Sequence, residues 1–179
     1  MKLTLKEEEF EFDFPNAKTL YKFDEKDPLS PTFHGAPMQA VDVVAEFPTF
    51  QLWIEIKEFQ PSEIEAMKKE GDQQKKGNDV HNKAHLTKNL KHKFRDTFLY
   101  RFCENQLDTK IVYVCLTNFD DALNGFFKRE LQKQIPTGLK SNRWSKQLLD
   151  TSLLMVVNKE SWQRNLEQKF GSCKKISSI

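Results

Sequence analysis

The segment that constrains this chain most is residues 41–60, which read VDVVAEFPTFQLWIEIKEFQ. The segment is rich in β-branched and aromatic residues, which favour strands, yet Asp42, Glu55 and Lys57 interrupt it. Charged side chains are almost never fully buried unless they are paired or coordinate a metal. The segment therefore predicts two strands, at about 39–46 and 51–58, that bring charged groups together for a purpose other than packing.

The expected geometry of this hairpin places the charges on one face of the sheet. A turn centred between Pro48 and Thr49 sets Asp42 directly opposite Glu55, and Lys57 shares the face of Glu55 because alternate side chains point the same way. Opposed carboxylates on neighbouring strands repel, since their Cβ atoms are only ~4.5–5.5 Å apart. They need a compensating cation, which is either Lys57 or a divalent metal such as Mg²⁺, whose preferred ligands are hard oxygen atoms. The alternative is a salt-bridge ladder on an exposed sheet face, but a ladder would set lysine opposite an acid.

The rest of the chain predicts an α/β domain with a mixed central β-sheet flanked by helices. Alternating Leu and Phe residues over 3–14 indicate an N-terminal hairpin, and Asn16 is a candidate cap for a short helix towards Phe23. Continuous apolar runs at 110–118 and 152–158 are typical of buried strands. Helices are expected from Pro61, over about 81–105, before Pro136 and over 159–170. The helix over 81–105 carries an apolar stripe with a four-residue repeat: Leu86, Leu90, Phe94, Phe98 and Phe102, joined by Leu99. One domain over residues 1–179 accounts for all of these elements.

Charge is distributed unevenly along the chain. The formal net charge is only +2, but residues 68–95 hold nine Lys or Arg residues and three acids. Such a stretch is most often a solvated surface, and its sharper interpretation is a face that contacts phosphates and displaces counterions from a nucleic-acid backbone. His81, His85 and His92 lie in the same stretch. His81 and His85 have the four-residue spacing of a zinc-binding pair on a helix, but solvated histidines are the favoured interpretation.

Several classes of protein are disfavoured by the composition. The three cysteines are odd in number and far apart, without zinc or disulfide spacing. The apolar runs of the sequence, such as Leu153–Val157, are far shorter than the roughly 20 residues that span a bilayer. The N-terminus lacks the apolar segment of a secretory signal. Neither a Gly-rich phosphate loop nor a Gly-x-Ser-x-Gly motif is present. We therefore expect a cytoplasmic protein without a membrane partner.

The pattern VDVV…IEIKEF resembles the core of the PD-(D/E)xK, or restriction-endonuclease-like, nuclease superfamily. The resemblance covers about residues 16–117 and leaves about 118–179 as a C-terminal strand–helix extension. It implies Asp42, Glu55 and Lys57 as catalytic residues. It also implies Mg²⁺, or Mn²⁺ in its place, bound by Asp42, Glu55 and the backbone carbonyl of Ile56. Val41 stands where the superfamily motif begins with Pro.

The resemblance extends to residues outside the hairpin. It suggests Asp24 or Glu25 as an upstream acid, and the helical segment KHKFRDTF as a source of Lys93 or Arg95 for holding the scissile phosphate. A local surface pair between Arg95 and Asp96 is the alternative for that arginine. The cations expected to contact nucleic acid are Lys75, Lys76, Lys88, Lys91, Lys93 and Arg95.

The expected function is that of a Mg²⁺-dependent endonuclease-like domain that hydrolyses phosphodiester bonds of DNA. One alternative is a catalytically inactive nuclease-fold module that binds nucleic acid or a protein partner. Another is an interaction domain whose basic helix binds an acidic protein. The expected partner is nucleic acid, DNA in the first place, and assembly as a homodimer is left open.

Overall fold

The computed structural model describes residues 3–70, 82–137, 142–143 and 149–176. Its strands are β1 Thr4–Glu7, β2 Phe10–Asp13, β3 Thr19–Lys22, β4 Val43–Glu46, β5 Phe50–Lys57, β6 Lys110–Thr117, β7 Leu154–Val157 and β8 Ser172–Lys175. Its helices are α1 Pro61–Lys69, α2 Lys83–Cys103, α3 Asp121–Gln134, α4 Lys159–Asn165 and α5 Glu167–Phe170, with a 3₁₀ turn at Thr151–Leu153.

Two sheets organise the fold. The larger has five strands in the order β3-β4-β5-β6-β7. Strands β3, β4 and β5 pair antiparallel, whereas β5, β6 and β7 pair parallel. The smaller sheet, β1-β2-β8, is antiparallel and joins the N-terminal hairpin to the last strand. The predicted α/β class, a mixed central sheet flanked by helices, is confirmed.

Each face of the large sheet is covered by a separate hydrophobic layer. On one face, Leu90 and Phe94 of α2 and Phe127 of α3 pack with Trp53 and Tyr113 of the central strands. The other face packs against the small sheet and helices α4 and α5, through Phe12, Phe14, Trp162 and Phe170 among others. Both faces of β5 and β6 are therefore removed from water, which explains why β6 is continuously apolar.

The structure corrects the prediction for residues 16–23. Residues 19–22 form strand β3 rather than a helix capped by Asn16. Strand β3 pairs with β4, and the amide of Phe23 donates a hydrogen bond to the backbone carbonyl of Asp42 (2.8 Å). This pairing satisfies the backbone groups that a short helix would have satisfied internally.

The apolar stripe predicted on α2 is buried only over its first half. Leu86, Leu90 and Phe94 are in the core, whereas Leu99 and Phe102 are 51% and 66% exposed. An α-helix has about 3.6 residues per turn, so each step of four residues rotates about 40° beyond a full turn. A four-residue repeat therefore winds around the helix and leaves the sheet after a few steps.

The helix expected over 159–170 is divided at Leu166 into α4 and α5. Asp120 and Asn158 cap α3 and α4, with their side chains accepting hydrogen bonds from the amides of Leu123 and Ser161. Cys115 and Cys173 are buried and Cys103 is exposed. Among the described residues, no helix combines the length and apolar composition needed to cross a bilayer.

Candidate active site

The pairing of β4 with β5 brings the predicted charges together. Val43 lies opposite Ile54, and the same register carries Asp42, one residue before β4, to a position opposite Glu55. The predicted register is therefore confirmed. Both carboxylates lie on the sheet face that α2 covers, while Ile54 and Ile56 face the other layer. Asp42 is 7% exposed and Glu55 is fully buried, so the exposed salt-bridge ladder is excluded.

Three hydrogen bonds fix Asp42 and the residue before it. Its Oδ2 accepts a hydrogen bond from the amide of Ile56 (2.7 Å). Its backbone carbonyl accepts one from the amide of Phe23, and the preceding amide, that of Val41, donates to Thr97 Oγ1 of α2 (3.0 Å). These contacts fix one carboxylate oxygen of Asp42 and leave Oδ1 for the interior of the site.

Lys93 of α2 lies at the centre of the site. Its Nζ is 3.4 Å from Asp24 Oδ2, 3.6 Å from Asp42 Oδ1 and 3.4 Å from Glu55 Oε1. We call Asp24, Asp42 and Glu55 the acid cluster. Asp24 follows β3, Asp42 precedes β4 and Glu55 lies in β5. Three adjacent strands therefore bring one carboxylate each to the same end of the sheet.

Glu55 is the least satisfied member of the acid cluster. Its Oε1 is 2.6 Å from Lys57 Nζ, yet within the described part of the chain neither of its oxygens has a hydrogen-bond partner of ordinary geometry. Burial first, and the neighbouring Asp42 carboxylate second, raise the pKa of Glu55 to about 8, against the opposing effect of Lys57 and Lys93. A buried carboxylate in this state has unused capacity to bind a cation.

The other charges respond to the same cluster. Burial alone would lower the pKa of Lys93, but Glu55, Asp42 and Asp24 outweigh it and raise that pKa above its usual value. Burial would raise the pKa of Asp24, but the hydrogen bond from Lys26 and the charge of Lys93 lower it instead. The side chain of Lys57 is 26% exposed, so its ammonium lies between the buried Glu55 and solvent.

The donor chemistry of the acid cluster fits Mg²⁺ or Mn²⁺. Carboxylate oxygens are the hard ligands that Mg²⁺ prefers, and one or two of them suffice because the ion keeps waters and binds substrate phosphates. The carboxylate oxygens around Lys93 lie farther from its Nζ than ~2.0–2.1 Å, which is the length of magnesium–oxygen bonds. As placed, they are therefore too far apart to bind one ion together. Accordingly, in the described part of the chain no three Asp, Glu, His or Cys side chains are placed to hold a metal as they stand. Asp42 and Glu55 are the two carboxylates that face each other on neighbouring strands.

The remaining predicted residues are placed differently from one another. Glu25 accepts hydrogen bonds from the amides of Lys26 and Asp27 and stays outside the acid cluster. Lys88 and Arg95 are exposed and Lys91 is half-buried on one side of α2. Lys75, Lys76 and His81 lie outside the described residues.

Two predictions about α2 need correction. Lys93, expected among the phosphate-contacting cations, is only 8% exposed, because the helical repeat puts position 93 beside Leu90 and Phe94 on the side that faces the sheet. Asp96, the suggested partner of Arg95, instead accepts a hydrogen bond from the amide of Gln39 (3.0 Å). Lys93 therefore faces the acid cluster, and Asp96 holds the segment that leads into the site.

The first hairpin also approaches the site, which the sequence did not indicate. Glu7 of β1 pairs with Lys22 of β3 (3.2 Å). Burial first and Asp42 second raise the pKa of Glu8 in the following turn. The run of Glu7, Glu8 and Glu9 has the composition of a solvated turn, and only the stacking of the two sheets brings it near Asp42.

Comparisons with known proteins add little to this geometry. No family model matches the chain, and no curated protein matches its sequence. One solved structure that matches this chain is the small subunit of the heterodimeric restriction endonuclease R.BspD6I, at 12% sequence identity and a TM-score of 0.41. The match covers 86% of this chain and 60% of that subunit, so the chain spans about three fifths of its length. Function depends on the residues of the site and not on such a likeness.

Proposed function

We propose that this chain is a metal-dependent nuclease domain that hydrolyses phosphodiester bonds of DNA. The observation that carries the proposal is the buried pair of Asp42 and Glu55, which meet opposite each other on neighbouring strands beside Lys57. Two facing carboxylates repel, and Glu55 is fully buried without ordinary hydrogen bonds among the described residues. This arrangement costs stability, and a cation-binding role accounts for it.

Each residue has a distinct part in the proposed reaction. Asp42 and Glu55, with the carbonyl of Ile56, would hold Mg²⁺ or Mn²⁺, which when bound supplies a Lewis acid and an activated water. Lys57, between Glu55 and solvent, would orient the attacking water and stabilise negative charge that develops on the phosphate. The amide of Ile56, by donating to Asp42 Oδ2, keeps that carboxylate turned towards the site.

The exposed side of α2 supports a nucleic-acid partner. Lys88, Lys91 and Arg95 are spaced by three and four residues, which places them on one side of the helix. Asn89 and Asp96 of the same helix contact Gln39, just before Asp42. A phosphate backbone along this row of cations would therefore run beside the segment that enters the site.

The alternative is an inactive module in which the same charges are structural. It is favoured by one observation, the ammonium of Lys93 among the three carboxylates. In that case removing Lys93 or any one of the three carboxylates would leave a buried charge unpaired, at a cost of about 3–5 kcal/mol.

Lys57→Ala separates these two functions. In the nuclease, the variant should cleave DNA at least about 100-fold more slowly, because it loses an electrostatic stabiliser. It should still bind metal and DNA, since Asp42, Glu55 and the exposed cations remain. Cleavage of a mixed set of linear and supercoiled DNA in Mg²⁺ or Mn²⁺ measures the rate, and thermal melting with and without metal reports metal binding.

Lys110→Ala is the matched control for this experiment. Lys110 is also a strand lysine, but it is exposed at the opposite end of the parallel pair, whereas Lys57 pairs with Thr117. It should cleave like the wild type. A wild type that neither cleaves DNA nor gains stability from either metal would refute the nuclease and leave the structural module.

A further inference from the structure

Lys93 occupies the place where the carboxylates of the proposed metal site converge. Its Nζ lies at nearly equal distances, 3.4–3.6 Å, from oxygens of Asp24, Asp42 and Glu55. A metal shared by Asp42 and Glu55 would lie between the same two oxygens. At such separations two cations repel strongly in a partly buried site, so both cannot occupy it together.

The surroundings of Lys93 allow its ammonium to move while its backbone stays in place. Helix α2 is fixed to the strand segment by the hydrogen bonds of Asp96 and Thr97 to the amides of Gln39 and Val41. The four-carbon stem of a lysine is flexible. Asp24, whose side chain is 17% exposed, lies on the more open side of the acid cluster and would remain a partner for a displaced ammonium.

We infer that Lys93 is an internal counterion that competes with a divalent metal for Asp42 and Glu55, so that metal binds only when the ammonium leaves these two carboxylates. The inference rests on the proposed metal site and adds a regulatory role for a residue of α2. Without metal, Lys93 holds together carboxylates that would otherwise repel. With metal, it lowers the affinity by the free energy needed to displace it.

Lys93→Met tests this competition by removing the charge while keeping a long side chain. The variant should bind Mn²⁺ at least about tenfold more tightly than the wild type, a difference of about 1.4 kcal/mol. Titration calorimetry of the full chain with Mn²⁺, and separately with Mg²⁺, measures the affinity. Lys88→Met is the matched control, because Lys88 is an exposed lysine of the same helix, and it should bind metal like the wild type.

The outcomes distinguish this inference from the proposed function. Metal binding by the wild type, with equal or weaker binding by Lys93→Met, would overturn the competition and leave the nuclease standing. Binding by Lys93→Met alone would support the competition and refute a metal-loaded wild type. No binding by either protein would overturn both.

A second measurement on the wild type keeps the inference testable if Lys93→Met fails to fold. Acetic anhydride labels accessible lysine amines, and mass spectrometry of peptides reports the labelling of each lysine. Labelling of Lys93 should be slow without metal and at least about fivefold faster in saturating Mg²⁺, because a displaced ammonium leaves the buried Glu55 for the more open side of the acid cluster, beside Asp24. Lys88 should label equally in both conditions. Metal binding without any change at Lys93 would overturn the inference.

Discussion

Glu55→Gln measures how much an ionised Glu55 lowers the free energy of unfolding. Glu55 is fully buried, and burial followed by the charge of Asp42 raises its pKa from 4.5 to about 8. The folded protein therefore binds this proton more tightly than the unfolded chain does. The stability contributed by neutral Glu55 is fully present below pH 4.5 and is lost as the pH rises through about 8.

The cost in free energy follows from the size of the change in the pKa of Glu55. A tenfold change in acid dissociation corresponds to about 1.4 kcal/mol, so ionised Glu55 costs the folded state on the order of 5 kcal/mol above pH 8. Glutamine is similar in volume and carries no titrating proton. The pKa of about 8 already includes the attraction of Lys57 and Lys93 for the ionised carboxylate. We expect the stability of the variant relative to wild type to rise by about 4 kcal/mol between about pH 5 and pH 9 without metal.

Urea denaturation at a series of pH values, with a metal chelator present, measures this change. Trp53 and Trp162 are fully buried, so their fluorescence reports unfolding of both hydrophobic layers. Glu65→Gln is the control, because Glu65 is an exposed residue of α1 and surface charges contribute little. Its stability profile should run parallel to that of the wild type.

The same urea denaturation in Mg²⁺ tests whether the effect of Glu55 on stability depends on metal binding. The ion should stabilise the wild type most at high pH, where Glu55 is ionised, and should stabilise Glu55→Gln little because the variant lacks the anionic ligand. Parallel pH profiles for Glu55→Gln and wild type would refute this account of Glu55. They would show a carboxylate already neutralised by Lys57 and Lys93, as the structural module requires.

Two further predictions concern the partner and the positioning of Asp42. Reversing Lys88 and Lys91 to Glu should weaken DNA binding without changing the melting temperature. The slope of log affinity against log salt concentration should fall by about 0.9 for each phosphate that the variant no longer neutralises. Fluorescence anisotropy at several salt concentrations measures the affinity and this slope, and unchanged binding would leave these lysines as ordinary surface residues. Thr97→Val removes the acceptor for the amide of Val41, so it should cost about 1–3 kcal/mol and reduce the rise in melting temperature that Mg²⁺ causes. Thr87→Val, which loses a bond within α2, should cost stability but keep that rise, and identical metal responses of the two variants would exclude a positioning role for Thr97.

The hairpin at the centre of the site was predictable because its structure is local. The register of β4 and β5 depends on the turn around Pro48 and Thr49 and on which face is apolar, and a slip of one residue would turn Asp42 and Glu55 towards the opposite layer. The continuous apolar run of β6 likewise specified a strand buried on both faces. The predicted class of mixed sheet and flanking helices follows from such local patterns.

Strand β3 shows where local pattern was insufficient. Residues 19–22 contain a threonine and a tyrosine but have neither a strong alternation nor a turn signal that specifies a strand. Their state is decided by pairing with β4, more than 20 residues along the chain. The same pairing is what sets Asp24 beside Asp42, so the third carboxylate of the site could be proposed from sequence only as one of two neighbouring acids.

The sequence by itself determined which residues share the hairpin face: Asp42, Glu55 and Lys57. Only the tertiary structure decided that this face is buried and that Lys93 neutralises it. The contact between Lys93 and Asp24 spans 69 residues and that between Thr97 and Val41 spans 56, and both depend on how α2 is docked on the sheet. A lysine on an amphipathic helix has the same local pattern whether it meets water or carboxylates. Its partner is specified by the packing of the two elements and not by its neighbours in the chain.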